Sequence, residues 1–272
     1  MQSKIQNKVV IITGASSGIG KSCVEEFAIR GAKVVFCARN IDKLKKIEQN
    51  LQHKGCDVLA IKTDVTIENE CSILIEATIE KYGRIDALIN NAGLSMRALF
   101  EDVNLEVIKK LMDVNFWGTV YCTKFALPYL QQSKGSIVGV TSIAGFHGLP
   151  GRSGYSASKF AMHGFLETIR IENLKNGLHV LIAAPGFTES DVRKSALNAN
   201  GEPQGDSPLK ENGLMSANTV AKAIMKGIVK RKRNIILSFE GKFSVLLQRV
   251  IPKALDRIFY NYMAKEPNSP FK

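Results

Sequence analysis

Lys8-Val-Val-Ile-Ile-Thr-Gly-Ala-Ser-Ser-Gly-Ile-Gly20 joins a run of apolar residues to three closely spaced glycines. The apolar run predicts a buried strand, and the spacing of Ile19, Val24 and Phe27 predicts a helix after it. Glycines at positions 14, 18 and 20 allow a tight turn, so that phosphate groups can approach the N–H groups at the start of that helix. The sequence therefore predicts a nucleotide-binding turn, whose candidate contacts are Gly14, Ser16, Ser17, Gly18, Ile19 and Gly20.

Predicted strands and helices alternate from residue 8 to residue 184. The strands are nearly continuous apolar runs, which is typical of a parallel sheet covered by helices on both faces. This pattern predicts an α/β fold of the doubly wound type, in three layers. The predicted strands span residues 8–13, 32–38, 58–63, 85–90, 135–141 and 180–184, and the helices residues 18–30, 42–54, 67–82, 104–132 and 153–175.

Residues 1–272 are interpreted as a single domain, because neither an internal repeat nor a linker is visible. Its core extends over about residues 8–238. Residues 186–215 are a polar insertion rich in Asn, Gly and Pro, and an insertion of this length predicts a substrate-binding loop. Residues 239–272 are expected to form an amphipathic helical extension.

The composition excludes several classes of function. The net charge of +12 is spread along the chain apart from one basic run at 230–233, and no nucleic-acid-binding motif accompanies it. The five cysteines lack a C-x-x-C pair, which predicts reduced thiols in a cytoplasmic protein. We expect neither a signal peptide nor a spanning helix, since no segment has 18 consecutive apolar residues. The four histidines show no metal-binding spacing, so no metal site is expected.

The end of the second strand bears on the choice of nucleotide. Enzymes that use NAD usually carry an acidic residue there to bind the ribose 2′-hydroxyl, whereas a nearby arginine accommodates the 2′-phosphate of NADP. Here the position holds Ala38 or Arg39, which favours NADP. Asp64 ends the third strand and could either bind the adenine amino group or cap the following helix.

Tyr155-Ser-Ala-Ser-Lys159 places a phenol and an amine on one face of a predicted helix. Free tyrosine has a pKa of ~10 and is a poor proton-transfer group near neutral pH. A neighbouring ammonium favours the phenolate and lowers that pKa. The same spacing also suits an exposed pair on a solvated helix, so the pair alone does not establish a site.

Six motifs together resemble the classical short-chain dehydrogenase/reductase family. They are the glycine turn 13–20, Asn90-Asn91-Ala92-Gly93, Asn115, Ser142, Tyr155-x-x-x-Lys159 and Pro185-Gly186, and they span residues 8 to about 190. The resemblance implies a Rossmann-type sheet and four catalytic residues, Asn115, Ser142, Tyr155 and Lys159. It implies that Ser142 stabilises the substrate oxygen, Tyr155 transfers a proton, Lys159 lowers the tyrosine pKa and binds the nicotinamide ribose, and Asn115 supports a proton-relay water.

The resemblance also extends the predicted cofactor site. The family packs the adenosine ribose against the end of the fourth strand and the nicotinamide carboxamide against the Pro-Gly turn. The residues implied in this way are Asn91, Ala92, Gly93, Pro185, Gly186 and Thr188, together with Tyr155 and Lys159. Asp64, with its two open roles, and the adjacent Val65 complete the candidate cofactor contacts.

The tail has apolar side chains at helical spacing, among them Phe243, Leu246 and Leu247, with basic residues elsewhere and an interruption at Pro252. A basic amphipathic segment of this kind can lie on an anionic membrane surface. It could equally form helices that cover the substrate pocket or a dimer interface. The tail resembles the extension of lipid- and steroid-handling members of the family.

The sequence thus predicts an NADP(H)-dependent oxidoreductase that interconverts a ketone or aldehyde and an alcohol, acting on an apolar substrate. A 3-oxoacyl-carrier-protein-type reductase and a non-catalytic NADP-binding regulator remain open as alternatives. The resemblance implies a homodimer or homotetramer, with the helices that start at Asn104 and Ser153 as interface candidates.

Overall fold

A parallel sheet of seven strands is the central layer of the protein. The structure is a computed structural model, and it describes residues 4–188, 195–205, 214–266 and 269–271. The strands are β1 (Val9–Thr13), β2 (Lys33–Ala38), β3 (Val58–Lys62), β4 (Ala87–Asn90), β5 (Ser136–Val140), β6 (His179–Ala184) and β7 (Asn234–Ile236). Their order is β3-β2-β1-β4-β5-β6-β7, and every neighbouring pair is parallel. The strand order reverses between β1 and β4, where doubly wound folds bind ligands.

Helices cover both faces of this sheet. One face packs against α1 (Gly18–Ile29), α2 (Ile41–His53) and α7 (Ala217–Val229), and the other packs against α3 (Glu68–Tyr82), α5 (Gly118–Gln132) and α6 (Ser153–Glu172). Successive strand residues alternate between the two cores: Val10 and Ile12 belong to the first and Ile11 to the second. The predicted three-layer, doubly wound α/β fold is confirmed.

The predicted helix 104–132 is interrupted. It consists of α4 (Leu105–Leu111), a π-helical turn (Met112–Trp117) and α5. The side chain of Asn115, inside this turn, is hydrogen-bonded to the backbone of Leu94, which follows β4. A π-helical turn adds a residue to the helical winding, and such turns are frequent at functional sites. Apolar periodicity continues through the turn, so the sequence pattern did not reveal it.

Two helices follow β7, as the predicted extension requires. They are α8 (Phe239–Val250) and α9 (Pro252–Ala264), and Pro252 opens α9 because a proline is tolerated in the first turn of a helix. None of the helices in the described ranges is long and apolar enough to cross a membrane. Residues 189–194 and 206–213 of the predicted substrate loop lie outside the described residues. The segment 195–205 pairs with the chain after β4 through a bridge between Met96 and Leu197.

The contact between α6 and β5 gives a matched pair of variants. A Cβ atom on Gly139 of β5 would overlap the fully buried side chain of Leu166 on α6. Gly164, also on α6, faces open space. We expect Gly139→Ala to lower the free energy of unfolding by about 1–3 kcal/mol through overpacking. We expect Gly164→Ala to raise it by about 0.4–1 kcal/mol, because alanine is favoured in a helix. Urea unfolding measures both, and equal effects would contradict the packing described here.

Candidate active site

The glycine turn between β1 and α1 is closely packed. Gly14 and Gly18 have positive φ angles of 64° and 54°. A Cβ atom on Gly14 would lie 2.6 Å from the Ala92 Cα atom, and one on Gly20 would lie 2.5 Å from the Asn91 Nδ2 atom. Residues with a side chain are excluded at Gly14 and Gly20, because the turn and the end of β4 approach each other so closely there.

Asn91 fixes the turn from below. Its side-chain amide donates to the carbonyl oxygens of Thr13 (2.9 Å) and Gly14 (3.0 Å), while its backbone N–H donates to the Thr13 hydroxyl at 3.0 Å. The Ala92 N–H donates to the same hydroxyl at 3.0 Å. The Asn91 side chain thus holds the glycine turn against the end of β4 through hydrogen bonds from its amide.

The N-terminus of α1 has the properties of an anion site. Its N-cap residue, Ser17, is extended and makes no side-chain capping hydrogen bond, and the first turn of the helix contains no acidic residue. The first N–H groups of this helix and the positive end of its dipole are therefore available to a ligand phosphate. These residues fit the pyrophosphate of a dinucleotide.

The residues that follow β2 and β3, Arg39 and Asp64, differ in their hydrogen-bond partners. Arg39 directly follows β2, is exposed, and forms no hydrogen bond or ion pair with residues that the structure describes. The Asp64 Oδ1 atom, in contrast, accepts hydrogen bonds from the Thr66 N–H (3.0 Å) and hydroxyl (2.9 Å) before α3 begins. Asp64 therefore forms a local turn with Thr66 and does not cap α3, whose N-cap residue is Ile67, and its predicted contact with the adenine amino group stays a prediction. Val65 is buried beside Gly118, where a Cβ atom would lie 2.7 Å from the Val65 Cγ2 atom.

Asn115 joins the end of β4 to the helix that carries Tyr155. Its Oδ1 atom accepts from the Leu94 N–H at 2.7 Å, and its Nδ2 atom donates to the Leu94 carbonyl at 3.0 Å and to the Ser158 hydroxyl at 2.8 Å. The Ser158 hydroxyl in turn donates to the Tyr155 carbonyl at 2.8 Å. Gly93 lies beside this group, since a Cβ atom there would be 3.2 Å from Asn115 Oδ1 and 3.5 Å from the Lys159 Nζ atom.

Lys159 and Tyr155 lie on the same face of α6, and the Lys159 Nζ atom is 5.8 Å from the centre of the Tyr155 ring. The ammonium donates to the Val140 carbonyl at 3.1 Å, at the end of β5. Lys159 is buried, which lowers its pKa to about 8. Burial raises the pKa of Tyr155, and this effect outweighs the hydrogen bond with Ser142 and the positive charge of Arg152, which lower it. The pKa of Tyr155 thus shifts in the direction opposite to the one expected from Lys159, because loss of hydration is the largest effect on the phenol.

Ser142 lies two residues beyond β5, at the edge where the strands end. It caps a 3-10 turn (Ile143–Gly145), and its hydroxyl accepts from the Ala144 N–H at 3.2 Å. The preceding residue, Thr141, donates its N–H to the Ala183 carbonyl at 2.7 Å and shares a 2.9 Å hydrogen bond with the His163 Nε2 atom on α6. Ser142 is therefore attached to β6 and to the helix of Tyr155 through its neighbour.

The turn after β6 borders the tail. A Cβ atom on Gly186 would lie 2.8 Å from the Ser238 Cβ atom, which belongs to the N-cap of α8. The Thr188 hydroxyl donates to the Gly186 carbonyl at 3.0 Å, and Thr188 forms a bridge with Met215. Pro185, Gly186 and Thr188 thus lie between the end of β6 and α8, at the same sheet edge as Ser142.

An apolar cluster lies against Tyr155. Its members come from the chain after β4, from α4 and from the segment 195–205, and Tyr155 is partly buried against them. The cluster contains Met96, Ala98, Val103, Val107, Leu111 and Leu197, with Leu94, Ile108 and Ala199 at its margin. The site therefore combines a polar group of Ser142, Tyr155 and Lys159 with an apolar wall.

Comparison with known proteins identifies the family of this chain. The family model described as short chain dehydrogenase matches residues 8–201. The chain belongs to the short-chain dehydrogenase family. An Arabidopsis thaliana protein named 11-beta-hydroxysteroid dehydrogenase-like 2 is 38% identical over 266 residues, which cover 95% of this chain and 84% of that protein. An Arachis hypogaea protein named 11-beta-hydroxysteroid dehydrogenase A is 33% identical over 278 residues, which cover 99% and 79% of the two chains.

Solved structures of dehydrogenases resemble this one. An alcohol dehydrogenase from the archaeon Thermococcus sibiricus, complexed with 5-hydroxy-NADP, has a TM-score of 0.75 and 26% identity, covering 85% of this chain and 95% of that one. A short-chain dehydrogenase/reductase from Burkholderia phymatum, in complex with NAD, has a TM-score of 0.80 and 23% identity, covering 90% and 94%. The second likeness shows the shared fold alone.

Three residues of this short-chain dehydrogenase site did not emerge from the sequence. Ser158 lies inside the Tyr-x-x-x-Lys motif, where its place one residue before Lys159 was the available signal. Thr141 and His163 are distant in sequence, and their contact had no signal, because a buried histidine has no characteristic spacing. His163 is almost completely buried, which lowers its pKa to about 4.

The pKa of His163 predicts a pH-dependent stability. The folded pKa lies below the value of about 6.5 for a free histidine. The unfolded chain therefore binds more protons between these two values, and the contribution of His163 is lost as the pH falls through that range. We expect the free energy of unfolding of the wild type to fall by about 2 kcal/mol more than that of His163→Gln between about pH 7 and pH 5. His179, whose pKa burial also lowers, contributes equally to both proteins. Urea unfolding at the two pH values tests this, and parallel losses would contradict it.

Proposed function

We propose that the protein is an NADP(H)-dependent oxidoreductase that interconverts a ketone or aldehyde and an alcohol on an apolar, lipid- or steroid-like substrate. The observation that carries this proposal is the meeting of Ser142, Tyr155 and Lys159 at the end of β5, beside the glycine turn and the apolar cluster. Doubly wound folds bind ligands at this edge of the sheet. A group of hydroxyl, phenol and buried amine is the chemistry that a carbonyl–alcohol reaction needs.

Each residue has a role that follows from its chemistry. The Ser142 hydroxyl donates a hydrogen bond to the substrate oxygen and stabilises the negative charge that develops there. The Tyr155 hydroxyl gives its proton to that oxygen in reduction and removes it in oxidation. Lys159 supplies a positive charge close to the phenol. When bound, the nicotinamide cofactor supplies the hydride in reduction and accepts it in oxidation.

The hydrogen bonds of the Asn115 side chain favour a positioning role for this residue in the proposed reaction. All of its described hydrogen bonds go to Leu94 and Ser158. Its backbone carbonyl accepts from the Thr119 hydroxyl at 2.8 Å. Asn115 therefore holds the start of α6 and the end of β4 in register, which keeps Lys159 beside Tyr155.

The proposed preference for NADP rests on Arg39. An exposed guanidinium at the end of β2, without an acidic neighbour at that position, suits a 2′-phosphate. The archaeal alcohol dehydrogenase carries an NADP derivative, which agrees with this preference. The apolar nature of the proposed substrate is supported by the cluster around Met96 and Leu197 and by the hydroxysteroid dehydrogenase names of the plant relatives.

Two exposed apolar surfaces support proposals about partners and location. Leu105 on α4 and Phe160 on α6 are exposed, and we propose that these helices join two or four copies of the chain. Phe239, Phe243 and Leu246 are exposed on α8, with Lys242 among them, which suits peripheral contact with an anionic membrane. Sedimentation with and without anionic vesicles distinguishes the two contacts.

All five cysteines are free thiols, in keeping with a cytoplasmic enzyme.

Replacement of the catalytic hydroxyl tests the proposed reaction. We expect Tyr155→Phe to lower kcat for an apolar ketone by about 10²–10⁴-fold, because the general acid is lost while NADPH still binds. Tyr129→Phe on α5 is the control and should keep its activity. NADPH consumption over a panel of steroidal, fatty and small carbonyls gives the rates. Full activity of Tyr155→Phe would overturn the mechanism, and tight NADPH binding without turnover by the wild type would favour a regulator instead.

Replacement of Arg39 tests the proposed cofactor. We expect Arg39→Ala to raise the dissociation constant for NADPH by about 10–100-fold, since one charge-assisted contact contributes about 1.5–3 kcal/mol. The affinity for NADH should stay unchanged, because NADH lacks the 2′-phosphate. Lys46→Ala, on the exposed face of α2, controls for the loss of positive charge. Equal weakening of both nucleotides by Arg39→Ala would remove Arg39 from the proposed site.

A further inference from the structure

Glu266 forms a buried ionic cluster with two arginines. It lies two residues beyond α9, and its side chain is only 2% exposed. Its Oε1 and Oε2 atoms accept hydrogen bonds from Arg152 Nη2 at 3.1 and 3.2 Å, and Arg97 Nε lies 3.2 Å from Oε2. The two arginine side chains are 9% and 12% exposed, so one carboxylate serves two guanidinium groups that are largely removed from water.

The two arginines belong to two adjacent segments that border the proposed substrate site, and the Ala98 N–H joins these segments by donating to the Gly151 carbonyl at 3.0 Å. Arg97 lies between Met96 and Ala98 of the apolar cluster, and its N–H donates to the Leu197 carbonyl at 2.8 Å. Arg152 is the N-cap of α6 and precedes Tyr155 by one helical turn. Glu266 thus connects the end of the chain both to the apolar wall and to the start of the catalytic helix.

Other residues near the end of the chain also contact the segment before α6 or each other. The Arg152 Nη1 atom lies 3.2 Å from the sulfur of Met263 on α9, and the rings of Tyr260 and Phe271 meet edge to face at 5.1 Å. A Cβ atom on Gly151 would lie 3.5 Å from the Pro270 Cγ atom. The segment that enters α6 is therefore covered by residues from both sides of Glu266.

Charge makes Glu266 the decisive member of the cluster. With Glu266 ionised the cluster has one excess positive charge, and without it two buried guanidinium groups repel each other with no counter-ion. Removal of one partner from a buried ion pair is strongly unfavourable, because the remaining charge has lost its hydration. Repulsion between the two guanidinium groups would then loosen the contact between the segments of Arg97 and Arg152, and with it the packing of the apolar cluster against the start of α6.

We propose that Glu266 is a positioning residue, which fastens the C-terminal segment to Arg97 and Arg152 and thereby holds the apolar wall and the start of α6 in the geometry that binds the substrate. This inference rests on the proposed oxidoreductase function. It assigns to the tail a role in substrate affinity that is distinct from the cofactor site, since neither Arg97 nor Arg152 belongs to the glycine turn.

Glu266→Gln is the central variant, because it removes the charge and keeps the shape of the side chain. Glu266→Asp retains the charge and should restore much of the wild-type behaviour. Arg97→Gln combined with Glu266→Gln returns the cluster to one excess positive charge. Asp256→Asn removes an exposed carboxylate from α9 and is the matched control.

Hydrogen–deuterium exchange tests the inference without any turnover. We expect Glu266→Gln to speed amide exchange by about tenfold or more in two segments, residues 252–266 and residues 151–158, because both lose their common anchor. Asp256→Asn should leave both segments unchanged. Exchange that rises only in residues 252–266 would overturn the proposal, because Glu266 would then hold the tail and nothing else.

Kinetics test the link to the substrate. At saturating NADPH, we expect Glu266→Gln to raise KM for an apolar ketone about tenfold, with kcat within about threefold and NADPH affinity unchanged. A variant that is merely less stable would lose active protein and lower kcat at constant KM, which would contradict the proposal.

The pH profile of alcohol oxidation gives a second kinetic signature. The charged groups near Tyr155 are Lys159 and Arg152 on α6, with Arg97 and Glu266 reaching it through Arg152, while Ser142 is an uncharged neighbour. Loss of the Glu266 charge makes the surroundings of Tyr155 more positive and favours the phenolate form of Tyr155. The midpoint should therefore shift to lower pH by roughly half a unit to one unit in Glu266→Gln and return in the double variant. An unshifted midpoint in Glu266→Gln counts against the proposal.

Failure of the proposed function is recognised separately. If the wild type reduces none of the carbonyls, the oxidoreductase proposal fails, and the exchange of residues 151–158 alone decides whether Glu266 anchors the catalytic helix.

Discussion

The hydrogen bonds of the Asn115 side-chain amide are the interactions on which the site depends. A buried amide must satisfy its donors and acceptor within the protein, since an unpaired polar group in the interior costs about 1–3 kcal/mol. Asn115 does so by binding the backbone of Leu94 on one side and the Ser158 hydroxyl on the other. The π-helical turn brings the side chain to this position, because an uninterrupted α-helix would rotate residue 115 relative to β4. The glycine turn, the end of β4 and the helix of Tyr155 are thereby fixed relative to one another.

Burial has opposite effects on the two proton-active groups. It favours the neutral phenol of Tyr155 and the neutral amine of Lys159, so that the tyrosine pKa rises and the lysine pKa falls to about 8. Near neutral pH the lysine still carries most of its charge, while the tyrosine holds its proton firmly. An additional positive charge next to Tyr155 shifts this balance toward the phenolate. The oxidised nicotinamide carries such a charge, so the proposed function would couple the proton chemistry of Tyr155 to the binding of the cofactor.

Local sequence patterns predicted most of this architecture. The apolar runs placed the strands and the glycines placed the turn, because both depend on residues that are close in sequence. Asn115 was found through the family resemblance, yet the π-helical turn around it has no separate signature in the apolar spacing. Ser158 and the cluster of Arg97, Arg152 and Glu266 were missed because their partners lie far apart in the chain. For Asp64, two roles were left open; the carboxylate binds Thr66 and does not cap α3, and the adenine contact stays a prediction.

Direct titration of Tyr155 tests the account most sharply. The near-ultraviolet absorbance difference between the wild type and Tyr155→Phe isolates this phenol, and it can be followed against pH with and without NADP⁺. We expect a pKa above the ordinary value of 10 in the free protein and a lower pKa when NADP⁺ binds. A Tyr155 that already ionises near neutral pH in the free protein, or whose pKa ignores NADP⁺, would contradict it.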